Sequence, residues 1–145
     1  MTLTGKLEDA WHVRSGEANL NPEVEQRARK TCAYIGKRIR VVIDRPKGSL
    51  HPEHGFVYPV NYGYVPGTMS GDGEPIDVYV LGPDEALDEA AATCIAVVHR
   101  RDDVEDKLVA VVGDGMLDRD DIARAIDFQE RFFDSVVLLV PDADE

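Results

Sequence analysis

Apolar positions along this chain come in short bursts separated by glycine, proline and acidic residues, and the bursts are too short for a helical core. Arg38 to Asp44 (RIRVVID) predicts a strand ended by the Arg45-Pro46 turn. Further short strands are predicted at Phe56–Tyr58, Ile76–Leu81, Thr93–Arg100, Lys107–Val112 and Ser135–Val140. KGSLHPEHG, Lys47 to Gly55, is loop chemistry, and GPDEALDEAA is an acidic connection between two strands. Two segments carry helical signals instead. Asn21-Pro22-Glu23 reads as an N-cap, a proline in the first turn and an acid beside it, opening a helix to about Ile35 that Gly36 closes. Later, Asp118 or Asp120 caps a helix carrying Ile122, Ala125, Ile126, Phe132 and Phe133 near helical spacing.

Residues 1–20 are polar with weak periodicity and read as an extended arm, and PDADE is an acidic tail. The division is therefore an arm and helix over residues 1–35 and one β-rich domain over residues 36–145. Short strands with helices at either end predict a mainly β (α+β) fold, a small barrel with packed helices.

Composition narrows the function classes. A chain of 145 residues, 43% hydrophobic and 30% charged, is one ordinary globular domain. Its net charge of −12 argues against nucleic acid, which needs a basic face, and against an anionic membrane surface. No apolar run reaches membrane-helix length and the N-terminus lacks a signal-peptide core. Cys32 and Cys94 show neither metal nor redox spacing, so both read as inert thiols of a cytoplasmic protein. Arg100-Arg101 reads as a surface pair beside an acidic turn.

The candidate chemistry lies in YPVNYGYVPGTMSGDGEPIDVYVL, Tyr58 to Leu81. A stiff aromatic loop runs directly into Asp72, Glu74 and Asp77. Gly73 and Pro75 shape the turn that carries the first two, and Asp77 enters a strand, so three carboxylates can converge without long arms. Mg²⁺ takes one or two protein carboxylates and completes its octahedron with water and phosphate oxygens. Taken alone, the cluster also reads as a solvent-exposed acidic turn.

YPVNYGYVP followed by DGEPID resembles the soluble inorganic pyrophosphatases, whose members carry Tyr-Pro-x-Asn-Tyr-Gly-Tyr and then Asp-Gly-Asp-Pro-x-Asp. Weaker similarity runs from about Arg38 to Val112. The resemblance implies a five-stranded OB-like barrel and Mg²⁺-dependent hydrolysis of pyrophosphate to two phosphates, with Mn²⁺ or Zn²⁺ as other candidate ions. It further implies that Asp72 and Asp77 ligate metal, that Glu74 orients the attacking water, and that Tyr62 contacts phosphate. Asp44 falls at an acidic metal-associated position. HRRDDVEDKLVAV resembles the family's second acidic segment, with Lys107 on its lysine, Asp102 or Asp103 as its first ligand and Glu105 or Asp106 as its second. The family's bacterial members are commonly hexamers, which makes a homo-oligomer one expectation for partners beside a small phosphate substrate.

The chain also departs from the family. The usual hairpin after the first strand, with its Lys-x-Glu pair, has no room between Pro46 and Phe56, and Leu50 stands at the position of the arginine that follows. Phe132-Phe133 stand where a Tyr-Lys pair is usual. Lys47, His51, His54 and Arg131 are candidate replacement contacts to the phosphates. Two other readings stay open: hydrolysis of another small diphosphate, and a non-catalytic domain that binds metal or phosphate.

Overall fold

The computed structural model describes residues 30–70, 73–101, 105–113 and 117–139. The predicted arm, most of the first predicted helix, Asp72, Asp102, Asp103 and the acidic tail lie outside them. Residues 30–32 are helical and lead through a turn into the first strand.

Six strands follow: β1 (Arg38–Arg45), β2 (Asn61–Val65), β3 (Ile76–Leu81), β4 (Glu89–Arg100), β5 (Asp106–Val111) and β6 (Ser135–Leu138). Their order is β1-β2-β3-β5-β4-β6, with a further β1–β4 pairing. That pairing closes the first five into a barrel, and β6 extends it beside the far end of β4. All pairings are antiparallel except β3–β5. The expected OB-like five-stranded architecture is therefore present.

Closure depends on how two strands bend. β4 is long enough to pair with β1 through Glu89–Thr93 and with β6 through Val97–Arg100, and it bulges between Cys94 and Ala96. β1 passes from β4 to β2 at Val42, which pairs with both, and bulges just beyond, between Ile43 and Arg45. Gly63 lies opposite Ile43. A Cβ there would fall 1.9 Å from the Val42 carbonyl oxygen, so this tyrosine-flanked glycine is what lets β1 and β2 touch at the corner.

The strands have two working faces. The inner face fills the barrel with Ile39, Val41, Ile43, Val78, Val80, Val97 and Leu108, among others. Ala92, Cys94 and Ala110 supply the small volumes a narrow barrel needs. The outer face carries Tyr62, Tyr79, Val98 and Val109, and is covered by Ile122 and Ile126 of the single complete helix among the described residues, α1 (Arg119–Glu130). Asp118 caps that helix in a reciprocal box: its carboxylate accepts from the Asp121 N–H at 2.8 Å, while the Asp121 carboxylate accepts from the Asp118 N–H at 3.2 Å.

Three expectations need correction. The second strand is the tyrosine-glycine motif itself, Asn61–Val65, whereas Phe56–Tyr58 contributes one isolated bridge, Leu50 to Val57. Pro59 has no N–H to give to a ladder, and pairing starts only beyond it. The acidic connection ends early, since Glu89 to Ala92 already pair with β1. Phe132 and Phe133 lie past the end of α1, not on it. Cys32 and Cys94 are free thiols, and burial pushes both up to about 12, which agrees with the inert reading.

Candidate active site

The motif residues divide between scaffold and chemistry. Asn61 is fully buried. Its Oδ1 accepts from the backbone N–H groups of Lys47 and Leu87, both at 3.0 Å, and its Nδ2 donates to the Glu85 carbonyl at 3.0 Å. It pins two loops to the strand and faces no cleft. Tyr58 donates to Gln129 at 3.1 Å and so ties the motif to α1.

Alternation then places Tyr62 and Tyr64 on the outer face, opposite Tyr79 and Asp77 of β3. Tyr62, Tyr64 and Asp77, together with Asp44, Arg45, Glu74, Pro75 and Glu105, line a cleft of about 500 Å³ on the barrel wall. Of the residues singled out in the sequence, Asp44, Tyr62, Glu74, Asp77 and Glu105 line this one cleft, while Asp72, the third carboxylate of the turn, lies outside the described residues.

A short ionic chain organises the cleft. Lys107 is buried, and its Nζ donates to Asp77 Oδ2 at 2.8 Å and to Glu105 Oε1 at 2.7 Å. Tyr62 donates to the same Asp77 Oδ2 at 3.0 Å. Burial, then the charge of Asp77, hold the Tyr62 hydroxyl well above its ordinary pKa, so it stays a donor. Among the described residues nothing bonds Asp77 Oδ1 or Glu105 Oε2. Asp44 is raised from its ordinary 3.8 by partial enclosure, opposed by Arg45 and assisted by Asp77. Two carboxylates close enough to disturb each other are poised to share a cation.

The donor set is all hard oxygen, which fits a divalent cation of the Mg²⁺ type. Among the described residues no three His, Cys, Asp or Glu side chains converge tightly enough to cage an ion unaided. Mg²⁺ sites rarely need such a cage, because water and phosphate oxygens complete the shell.

Other expected residues fall elsewhere. Asp106 opens β5 one position after Glu105 and takes the inner face, where it meets His99 Nδ1 at 2.8 Å and accepts from Thr31 at 3.2 Å. It is a buried structural carboxylate and does not reach the cleft. Lys47 has its Nζ 3.8 Å from Asp84, and Arg131 pairs with Asp127 at 2.7 Å, so neither is brought to the site. His51 and His54 do come near. With Glu53, Lys107, Arg100, Phe132 and Phe133 they line a second cavity of about 230 Å³ that shares Tyr62 with the cleft. His51 Nδ1 accepts from the N–H groups of Glu53 and His54, each at 3.0 Å. That fixes a neutral ring with its proton on Nε2, and partial burial with the nearby His54 lowers its pKa further. His51 can donate but is no cation.

Arg100 is also not the surface residue expected. It is buried, donates to Glu130 through Nε at 3.0 Å and Nη2 at 2.7 Å, and lies over the Phe133 ring at 3.7 Å. Arg101 does behave as a rim residue, paired with Asp134 at 3.0 Å. Arg45 was read only as part of a turn, and no alternation rule places it in the cleft.

Comparison with known proteins agrees with this arrangement. The family model described as inorganic pyrophosphatase matches residues 25–137. An inorganic pyrophosphatase of Xylella fastidiosa is 41% identical over 81 residues, 50% of this chain and 46% of that one. One from Helicobacter pylori is 28% identical over 141 residues, covering 83% and 81%. The match thus spans about half the length of the Xylella relative and most of the Helicobacter one. Among solved structures, the Ehrlichia chaffeensis inorganic pyrophosphatase superposes with a TM-score of 0.58 at 20% identity, over 73% of this chain and 88% of that one. The fold agrees with a family match over most of the chain, and this chain belongs to the inorganic pyrophosphatase family.

Proposed function

We propose that the chain is a Mg²⁺-dependent phosphoanhydride hydrolase with inorganic pyrophosphate as its substrate. The observation that carries this reading is the Lys107–Asp77–Tyr62 chain, in which two donors fix one carboxylate oxygen and leave the other open to the cleft. Asp77, Asp44 and Glu105 would hold metal, and Asp72 with Asp102 or Asp103 completes the set by family position. When bound, the ion lowers the pKa of a coordinated water and screens the charge on phosphorus. Glu74 would orient an attacking water and take its proton as the new P–O bond forms in line and the bridging P–O bond breaks, giving two phosphates. Lys107 and Tyr62 stabilise the negative charge that grows on the phosphoryl oxygens, with His51 and His54 donating from the shortened loop.

A second reading has one observation in its favour. The cavity beside Tyr62 is walled by aromatic rings, with His54 stacked on Phe132 at 5.3 Å, and would accept a substituent on a small organic diphosphate. Phosphate release from pyrophosphate and from several organic diphosphates, with and without Mg²⁺, tests both. Metal-dependent turnover fastest on pyrophosphate is expected. Preference for an organic diphosphate moves the substrate, and metal binding without phosphate release makes this a binding domain.

A further inference from the structure

The inner positions of β1 are Ile39, Val41 and Ile43, so strict alternation would send Arg45 into the barrel. The bulge after Ile43 prevents that. It makes Arg45 the direct cross-strand neighbour of Tyr62, and such neighbours share a face. Asp44 and Arg45 therefore both line the cleft despite being consecutive. The position is a half-buried one. The Arg45 charge acts on Asp44 and Tyr58, and on His51 in the shortened loop. Arg45 thus shares the cleft with the carboxylates, and its charge reaches that loop.

The other cations around the site are committed. Lys107 is held by Asp77 and Glu105, Arg100 by Glu130, Arg101 by Asp134, Lys47 lies near Asp84 and Arg131 is on Asp127. Arg45 makes no ion pair among the described residues; its side chain hydrogen-bonds Tyr58, a neutral partner that leaves its charge uncancelled where it lines the cleft. A polyanion entering a wall of carboxylates needs a cation whose charge is not already cancelled. A planar fork of donors suits tetrahedral phosphate oxygens, and its charge persists at every working pH.

We propose that Arg45 is a phosphate clamp of this site, delivered to the cleft by the β1 bulge and standing in for the cationic contacts the shortened loop lacks. The inference rests on the phosphate-site reading but not on turnover. Its test is calorimetric titration of the full chain with Mg²⁺ and imidodiphosphate, whose P–N–P bridge resists hydrolysis, for wild type, Arg45→Gln and Arg45→Lys. Arg45→Gln should weaken binding roughly 10- to 100-fold, as loss of a bidentate charge-assisted contact does, and Arg45→Lys should recover part of it. Mg²⁺ affinity without the analogue and the thermal midpoint should not fall. A change within twofold overturns the clamp. So does a loss matched by lost Mg²⁺ affinity or stability, or an effect limited to a shifted pH dependence through Asp44. Failure of wild type to bind the analogue overturns it as well. If wild type binds the analogue yet releases no phosphate from pyrophosphate, the hydrolase reading fails and the clamp is judged on binding alone.

Discussion

Two ionic chains lie on the same outer wall of the barrel, each built from a buried cation, a carboxylate and a tyrosine, and they have opposite fates. In the first, Glu130 accepts from Arg100, Tyr79 and Ser135, so its oxygens are consumed within the protein. Both charged side chains are nearly inaccessible, at 4% and 6%. In the second, Lys107 is as hidden, at 3%, but its partners Asp77 and Glu105 remain 34% and 21% accessible. Among the described residues, one network is closed by α1 laid across it, and the other opens where α1 does not reach. The same chemistry becomes structure when sealed and a candidate reaction centre when not. The charged states follow the same logic. Burial works against both Arg100 and Glu130, yet their mutual hydrogen bonds and charge raise the arginine and lower the glutamate, so the pair stays ionised.

The comparison breaks most visibly at Glu130. Glu130→Ala leaves Arg100 buried without its anion and should cost about 3–5 kcal/mol of unfolding free energy in urea titration. Kinetic constants of the fraction that stays folded should move little. Tyr62→Phe works the other way. Removing one donor from the open chain should cost only about 1 kcal/mol of stability but about tenfold in phosphate-release kcat. The effect at Asp44 is smaller and depends on pH. Its folded pKa is raised, so the native state holds the proton more tightly than the unfolded chain does. The stability this gives is present below 3.8 and is lost as pH rises through the elevated folded value. Asp44→Asn should remove that downward slope when unfolding is followed across acidic pH. Least affected should be Lys47→Ala and Arg131→Ala, whose pairs lie outside both chains. Stability within about 0.5 kcal/mol and unchanged steady-state kinetics are expected.

How much of this was legible in the chain depends on which physical signal each residue obeyed. The barrel interior follows period-two alternation, so β1, β3 and β5 stand within a residue or so of where the pattern places them. Asp118 announces its helix by a capping box whose partner, Asp121, lies three positions on. The carboxylate turn was legible through the tyrosine motif beside it. What stayed hidden depends on neighbours distant in sequence. Asp106 and Glu105 are equivalent as letters, and only a one-residue step at the start of β5 separates a carboxylate tied to His99 from one tied to Lys107. Arg45 is moved between faces by a bulge that no local pattern marks. Arg100 looks like half of a surface pair until Glu130 arrives from α1. Phe132 and Phe133 continue a helical spacing past the point where the helix has stopped.

The central claim is that the open chain performs chemistry, and Asp77→Asn tests it most directly. The substitution keeps the shape of the side chain and leaves Lys107 its second partner, Glu105. The measurement is phosphate release from pyrophosphate at saturating Mg²⁺, normalised to the folded fraction. A loss of at least about 100-fold against wild type is expected, with the unfolding midpoint nearly unchanged. Wild-type turnover that survives the substitution would contradict it, and would place the reaction away from this cleft.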